Sequence, residues 1–467
     1  MPHDMEVLSP EYTKAMELNH TGALLFGQGE LEPAKLHFLA ALNLEPDNHL
    51  ALQNLGAVLR NQGHHAAAES VARRSVKASG GNAFTRSNLG VSQLSLKKYD
   101  EALATLQGVL AELGESAPSW HNYGLALYMV GEYRSALCAF DQTLALNPDN
   151  TQCKSDRALT LLALGHLQEG LEAYECRWQL LAKSPVWELG VPEWQGEAVV
   201  GKHILVHHEQ GFGDSLMLVR FVLPLLGLGA KITLAVPKEL VRLFNMSFGH
   251  LLTVKDFKST DFVALNYDYQ SPMLSVMRHL CVDQPKTICP APYLLMPVDP
   301  IAQRLPKNRK YRVGICWASG NHGPHLVERR RVTNLTDFLP LTELADTAVV
   351  SLQMGREVQD IANNGMQGLI FDLSHRVEDF ASTAAIIAEL DIVISVDSAV
   401  VHLAGALGVP SIMLSPYTRC WRWWQAAAGS GKPWYSNMKV FFQSADGTWT
   451  AAIAAAISSV RETLGVD

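Results

Sequence analysis

Charge of either sign is sparse in this 467-residue chain: Asp, Glu, Lys and Arg together make up 18%, and the formal net charge is −8. A general nucleic-acid binder needs a basic excess to displace counterions from phosphates, so no nucleic-acid partner is expected, although a local basic patch stays open. Long hydrophobic runs are missing too. The most apolar stretch, Leu216 to Ala230, contains Arg220 and is too short for a bilayer, so no transmembrane segment is expected. The opening MPHDMEVLSPEYTK lacks the apolar core of a signal peptide. Cysteine is limited to seven scattered residues with no C-x-x-C pair. That argues against a disulfide framework or a structural zinc site, and for reduced thiols in a cytoplasmic protein. Apolar residues, at 48%, are enough for packed cores.

What is abundant is self-similarity. Gly22, Gly56, Gly90, Gly124 and Ala158 are spaced by 34 residues. A second register holds Gly29, Gly63, Lys97, Gly131 and Gly165, and a third Ala34, Ala68, Ala102, Ala136 and Gly170. Bulkier residues fill a fourth in most copies: Phe38, Ala72, Leu106, Phe140 and Tyr174. This pattern resembles tetratricopeptide repeats, in which each period is a helix pair. Small residues sit where two helices cross, and a large residue fills the hole beside them. The second-register glycine ends the first helix, and Pro46 or Pro148 stops the second. One helix pair cannot bury its own apolar face, so the units stack into a solenoid. The spacing predicts an array of about five repeats over residues 1–184. Its groove suits an extended peptide or protein partner, and homo-oligomerisation is the alternative use.

Residues 185–200 lack helical period and read as a linker. Beyond them the pattern alternates strand and helix. Strands are expected at 203–207, 231–236 and, weakly, Phe262–Leu265, with helices near 214–227 and 238–246. A proline-rich passage from Pro285 to Pro306 marks a hinge. After it, strands are expected at 311–317, 347–352, 369–373, 392–396 and 411–415. Helices are expected near 336–345, 355–363, 378–390, 398–407 and 449–464. Alternation of this kind makes parallel sheets that bind ligands at their carboxyl edges. The fold class is therefore multidomain: an all-α solenoid, then two Rossmann-like α/β domains over 201–306 and 307–467.

Four segments carry chemistry. The first runs from His207 to Asp214 (HHEQGFGD) between a strand and a helix, where Gly211 and Gly213 let the backbone approach a ligand. Asp214 falls at the helix start, where it serves as a cap or as an acid–base group. Leu216 stands where the G-x-G-x-x-G fingerprint requires its third glycine. The second runs from Ser395 through Asp397, Ser398, Ala399 and His402 to Pro410. A strand ends there and a helix of small residues begins, whose free N–H groups suit a diphosphate. His402 is either a ligand or a satisfied structural histidine. The third is the loop from Ser319 to Arg331, closing on Arg329, Arg330 and Arg331, a solvated charge run or a phosphate contact. The fourth is aromatic, from Tyr417 through Trp421, Arg422, Trp423 and Trp424 to Pro433, Trp434 and Tyr435, a packed core or a stacking surface. Gly429–Lys432 is not a P-loop: Ala426 replaces its first glycine and Pro433 its Ser/Thr. No two aspartates stand two apart, so the D-x-D motif of metal-dependent sugar transfer is absent, and G-x-S-x-G and H-E-x-x-H are absent as well.

In order and spacing, several runs together resemble the heptosyltransferase-like glycosyltransferases of family 9, in the bacterial subgroup with an N-terminal tetratricopeptide array. These are His208–Asp214, Val313–Trp317, Ser351–Gln353, Asp379–Ala385, Asp391–Pro410, Trp421–Trp423 and Pro433–Tyr435. The resemblance implies the GT-B fold, with a C-terminal helix crossing back to the first α/β domain. It also implies inverting transfer from a nucleotide sugar without an essential metal or cofactor. By carry-over, Asp214 is the general base. Ser398, Ala399 and His402, after Asp397, hold the donor diphosphate. Arg331 offsets leaving-group charge, and Gln353 ends a strand on the nucleotide side. His208, Gln210, Gly211, Gly213, Trp317 and Tyr417 are candidate donor or acceptor contacts. Ser398 stands where the family often has Thr, and Cys420 where it often has Asp. The acceptor expected is a protein selected by the repeats. The alternatives are a lipopolysaccharide or other glycan, or a non-catalytic scaffold.

Overall fold

The computed structural model describes residues 9–114, 116–180, 190–258, 262, 266–280, 290–319, 333–418, 420–423 and 434–466. They fall into two compact units, one up to Thr160 and one from Leu161 onward.

The first unit is a run of paired helices: α1 (Pro10–Gly27), α2 (Leu31–Leu44), α3 (His49–Asn61), α4 (His65–Ala78), α5 (Ala83–Ser95), α6 (Tyr99–Glu112), α7 (Ala117–Met129), α8 (Tyr133–Leu146) and most of α9 (Thr151–Ala163). The repeat registers explain the pairing. A Cβ placed on Gly22, Gly90 or Gly124 would come within 2.6 Å of Phe38, 2.6 Å of Leu106 or 2.7 Å of Phe140. Only glycine lets the large residue of the second helix seat there. Where that residue is small, at Ala72, the opposing Gly56 has no side-chain or backbone atom nearer than 3.7 Å. Each first helix ends with its second-register residue in the left-handed region. In the first copy Gly29 N–H reaches Phe26 O and Glu30 N–H reaches Leu25 O, both at 3.0 Å, which satisfies the terminal carbonyls. The other copies repeat this geometry, including the one in which Lys97 takes φ +60°. Neighbouring first helices are also tied by side chains: Asn54 to Asn19, Asn122 to Ser87, and His121 to Asp156, each at 2.9 Å.

The second unit continues from α9 into α10 (Leu167–Ala173) and a 3₁₀ turn, Tyr174–Gln179. Its first sheet holds β1 (His203–His207), β2 (Lys231–Val236), β3 (Thr253–Asp256) and β4 (Tyr269–Pro272), in the order β3-β2-β1-β4, all parallel. Between them run α11 (Phe212–Leu218), α12 (Val222–Gly227) and α13 (Lys238–Phe248), and α14 (Met273–His279) follows β4. Of the strand expected at Phe262–Leu265, only Phe262 is among the described residues. It packs beside Leu205 and Ala235. The pairing strands are the short, partly polar β3 and β4, whose composition carries little strand signal. Part of the stretch read as a linker lies along β4: Glu193 bridges Gln270, Trp194 N–H donates to Gln270 O at 2.9 Å, and Trp194 is buried.

The second sheet holds β5 (Tyr311–Cys316), β6 (Thr347–Ser351), β7 (Ile370–Asp372), β8 (Ile392–Val396), β9 (Ser411–Ser415) and β10 (Met438–Phe442), in the order β10-β9-β8-β5-β6-β7, again all parallel. β10 was not expected from the sequence. The helix expected near 336–345 is a 3₁₀ segment, Leu335–Glu343, because Pro340 inside it cannot donate the helical bond. Then come α15 (Gln359–Asn363), α16 (Phe380–Ala388), α17 (Ala399–Leu407) and α18 (Thr450–Leu464). The last of these corrects an expectation. It does not cross back to the first sheet: Ala452, Ile453, Ala456, Ile457 and Val460 share one core with Val313, Ile394, Ile412 and Leu414 of the second. Its apolar face is complementary to its own sheet, so burial there removes the most surface from water. Among the described residues no helix is long and apolar enough to cross a membrane.

Candidate active site

Both sheets reverse their strand order once, between β1 and β4 and between β5 and β8. Ligand crevices form outside the carboxyl ends of strands at such switch points. The segments from His207 to Asp214 and from Asp397 to His402 follow β1 and β8 directly.

Gly211 caps α11, which makes Asp214 the third residue of that helix rather than its cap. One carboxylate oxygen, Oδ2, returns to the Gly211 N–H at 3.2 Å. The other, Oδ1, accepts from the guanidinium of Arg422. Asp214 is thus not the cap expected from the sequence: one oxygen closes back on the capping residue and the other meets Arg422. Gln210, just before, has φ +62°, a conformation costly for a non-glycine residue, and its Oε1 also accepts from Arg422, at 3.1 Å. Arg422 is further held by Cys420 Sγ at 3.0 Å, and its guanidinium lies 4.8 Å from the Trp421 ring centre. Burial opposes the charge on Arg422, but Asp214, Cys420 and Asp397 outweigh it and hold the group above the ordinary arginine range.

The two helix starts meet. A Cβ on Gly213 would lie 3.0 Å from His402 Cδ2 and 3.6 Å from Ala399 Cα, so any side chain here would press on His402. Ser398 caps α17, its Oγ accepting from Val400 N–H at 3.2 Å and lying 2.8 Å from Ser395 Oγ. Asp397 is buried, with Oδ1 3.9 Å from His402 Nε2. His402 Nδ1 lies 3.0 Å from the Tyr435 hydroxyl, and its ring stacks on Trp423. Tyr435, pushed well above the usual tyrosine range by burial, belongs to a cluster with Tyr293 and the fully buried Arg220. His208 bonds Ser215 Oγ at 2.6 Å. Burial lowers its pKa, with Asp214 opposing.

Gln353 is joined to the start of α17 through Cys316, whose Sγ lies 3.5 Å from Gln353 Oε1 and 3.9 Å from Ser398 Oγ. Gln353 is buried, and its amide is engaged by the chain: Oε1 accepts from Trp317 N–H at 3.2 Å and Ala318 N–H at 2.9 Å, and Nε2 donates to Ala318 O and Met354 O. It holds the turn after β5. The Trp317 ring lies in the core, its Nε1–H donating to Asp360 Oδ2 at 3.0 Å, so the ring is not the donor or acceptor contact expected. Tyr417 is bonded through its N–H to Gln443, at 3.4 Å. Arg331, with Arg329 and Arg330, lies outside the described residues.

Sequence reasoning assigned no role to Arg422, although the segment Trp421–Trp423 had been singled out. It also missed Arg177, whose only signal was a charge set among apolar residues past the last repeat helix. Among the described residues, no group of three or more His, Cys, Asp or Glu side chains is arranged to hold a metal ion.

The family comparisons fall on the two parts of this architecture. The profile of glycosyltransferase family 9 (heptosyltransferase) matches residues 353–443, and a tetratricopeptide repeat profile matches 37–70. The chain therefore carries a family 9 glycosyltransferase domain toward its C-terminus and tetratricopeptide repeats near its N-terminus. Protein FlbA of Caulobacter vibrioides is 26% identical over 334 residues, which is 66% of this chain and 54% of that protein. The chain thus spans about half the length of this curated relative. Solved structures similar to it include PilF of Pseudomonas aeruginosa, at 20% identity over 39% of this chain and 82% of that chain, with a TM-score of 0.33. A thermophilic tetratricopeptide protein of Thermus thermophilus is 21% identical over 38% of this chain and 96% of that chain, with a TM-score of 0.34.

Proposed function

We propose that the chain is an inverting, metal-independent glycosyltransferase that moves a sugar from a nucleotide-sugar donor to an acceptor hydroxyl, on a protein selected by its repeats. One observation carries this reading: the first turn of α11, with Asp214, meets the first turn of α17, with Ala399 and His402, at the switch points of two parallel sheets. The family 9 match covers the second of these turns. The donor diphosphate lies at the mouth of α17, where the N–H groups of the first turn and the helix dipole favour negative charge. Asp214 takes the acceptor hydroxyl proton as that oxygen attacks the anomeric carbon from the face opposite the diphosphate. The bond from the anomeric carbon to the phosphate oxygen breaks, and the nucleoside diphosphate leaves with the electron pair. Arg422, already within reach of Asp214, is the cation placed to offset the charge that develops there. Its departure from Asp214 toward the phosphates frees the carboxylate to accept the proton. Arg331 remains a second candidate for this role.

The test is Asp214→Asn in the full chain. Transfer falls by at least about a thousandfold, as for loss of a general base in a unit that acts together. Meanwhile the nucleotide sugar still raises the melting temperature. Wild-type turnover by this variant removes Asp214 from the mechanism. A panel of ADP-, GDP-, UDP- and CMP-sugars in the melting assay identifies the donor. Mass spectrometry of the acceptor separates sugar on protein from sugar on lipid or glycan.

A further inference from the structure

Glu209 lies in the middle of the loop from His207 to Asp214 and is buried, yet no step above uses it. Its carboxylate is gripped from two elements. Arg177, in the 3₁₀ turn after α10, donates from Nε to Oε2 at 2.9 Å and from Nη2 to Oε1 at 3.3 Å. The N–H of Leu274, at the start of α14, donates to Oε1 at 2.7 Å. Arg177 is itself pinned: Nη1 donates to Glu175 Oε1 at 2.7 Å and to Tyr174 O at 3.2 Å, Nη2 donates to Ser275 Oγ at 3.1 Å, and the guanidinium lies 4.5 Å from the Trp178 ring centre. The arginine is 1% exposed. Burial works against its charge, and Glu209 with Glu175 more than offsets this, while burial pushes the Glu209 carboxyl up against the pull of Arg177.

We propose that Arg177 is a positioning residue for the loop that carries Asp214, so that the turn after the last repeat helix belongs to the framework of the active site. The inference rests on the glycosyltransferase reading for its kinetic consequence, but not for its structural one. Two arginines fasten this loop. Arg177 holds it at Glu209, and Arg422 holds it at Gln210 and Asp214. Between the two anchors the backbone takes the strained left-handed turn at Gln210. Such a conformation persists only where its surroundings over-determine it. Of the two anchors, Arg422 is the one the mechanism moves, toward the donor phosphates. The loop then keeps its place chiefly through Glu209, held by Arg177 and by the Leu274 N–H, and Asp214 stays within reach of the acceptor while Glu209 is held.

The experiment uses the full chain and replaces the ion pair by an apolar pair, Arg177→Met with Glu209→Met, so that Glu209 is not left as an unpaired buried charge, while the part-exposed Glu175 keeps Ser275 Oγ at 3.0 Å and Arg278 at 3.8 Å. Arg177→Lys is the conservative companion. It keeps the charge and loses the forked geometry. Three quantities are read: the melting temperature, hydrogen exchange of the peptide spanning 207–214, and kcat and KM for the donor. The double variant is expected to melt within a few degrees of wild type. Exchange in the loop rises about tenfold. Its kcat falls about 10- to 100-fold, as for a displaced reacting group, while donor KM is unchanged because the diphosphate rests on α17. Arg177→Lys falls between. Wild-type exchange and wild-type kcat in the double variant would overturn the proposal. Should that variant not fold, the same two readings on Arg177→Lys decide, and wild-type values there overturn it. Exchange needs no turnover, so an inactive wild-type protein would defeat the glycosyltransferase reading while leaving the exchange result to judge Arg177.

Discussion

At the scale of single residues, the repeat glycines do not all serve one purpose. Gly90 and Gly124 make room for Leu106 and Phe140, so an added methyl there meets a packed side chain. Gly124→Ala should cost about 1–3 kcal/mol through overpacking. At Gly56, whose copy carries the small Ala72, an added methyl would make only ordinary contacts, at 3.7 Å or more. Gly56→Ala should therefore stabilise by roughly 0.5–1 kcal/mol, the ordinary gain for alanine inside a helix. Thermal unfolding of the two variants should move in opposite directions, and equal shifts would refute the reading of the register. Lys97 is the converse case, a side chain at φ +60° where the other copies have glycine. Lys97→Gly should gain about 0.5–1 kcal/mol in the same assay, since relief of the left-handed strain exceeds the added backbone freedom. His207 sets a pH dependence. Burial, against the bond to Gln270, pushes its imidazole down from 6.5 to about 4. The unfolded chain then binds this proton more readily, so stability is full above about 6.5 and is lost as pH falls toward 4. Urea midpoints measured from pH 7 to pH 4.5 should fall, and less steeply in His207→Gln.

At the scale of elements, a lateral tie joins helices of the two sheets. Arg242 on α13 donates to both carboxylate oxygens of Asp379 at 2.7 Å, to Asp299 Oδ2 at 2.9 Å and to Ser382 Oγ at 2.7 Å. Asp379 also caps α16, accepting from Ser382 N–H at 3.0 Å, so one carboxylate serves the helix end and the arginine together. The side chain of Arg242 is 41% exposed, and solvent screening limits what the network contributes. Arg242→Ala should cost about 1 kcal/mol in denaturant unfolding. A loss unchanged by 0.5 M salt would show that packing of the alkyl stem, not charge, is at work.

At the scale of the whole molecule, the aromatic residues are unevenly shared. Of the ten tryptophans, Trp120 alone precedes residue 161. Tryptophan fluorescence therefore follows the α/β unit, while far-ultraviolet dichroism is weighted toward the helical one. A nucleotide sugar at 100 times its Kd should stabilise the α/β unit by about 2.7 kcal/mol. The fluorescence melting transition should then rise. A shift confined to the dichroism signal would place the ligand on the repeats instead.

The repeats and most strands were legible because their signals are local. A period of 34 needs no partner to be seen, and the strands at 203–207, 231–236, 392–396 and 411–415 are continuous apolar runs bounded by turns. Both strand-to-helix junctions of the candidate site were legible for the same reason, since glycine, small residues and an aspartate at a helix start have fixed local uses. β3 and β4 escaped because four-residue polar strands owe their place to the neighbours they pair with. The sequence by itself determined which segments become helices and strands and which turns could hold chemistry, because backbone preference and hydrophobic period act over a few residues. Only the tertiary structure decided that Arg422 meets Asp214 across 208 residues, that Arg177 holds Glu209, and that α18 covers its own sheet. A side-chain pair joined across the fold is selected by burial and charge at its destination, and neither is written in the residues beside it.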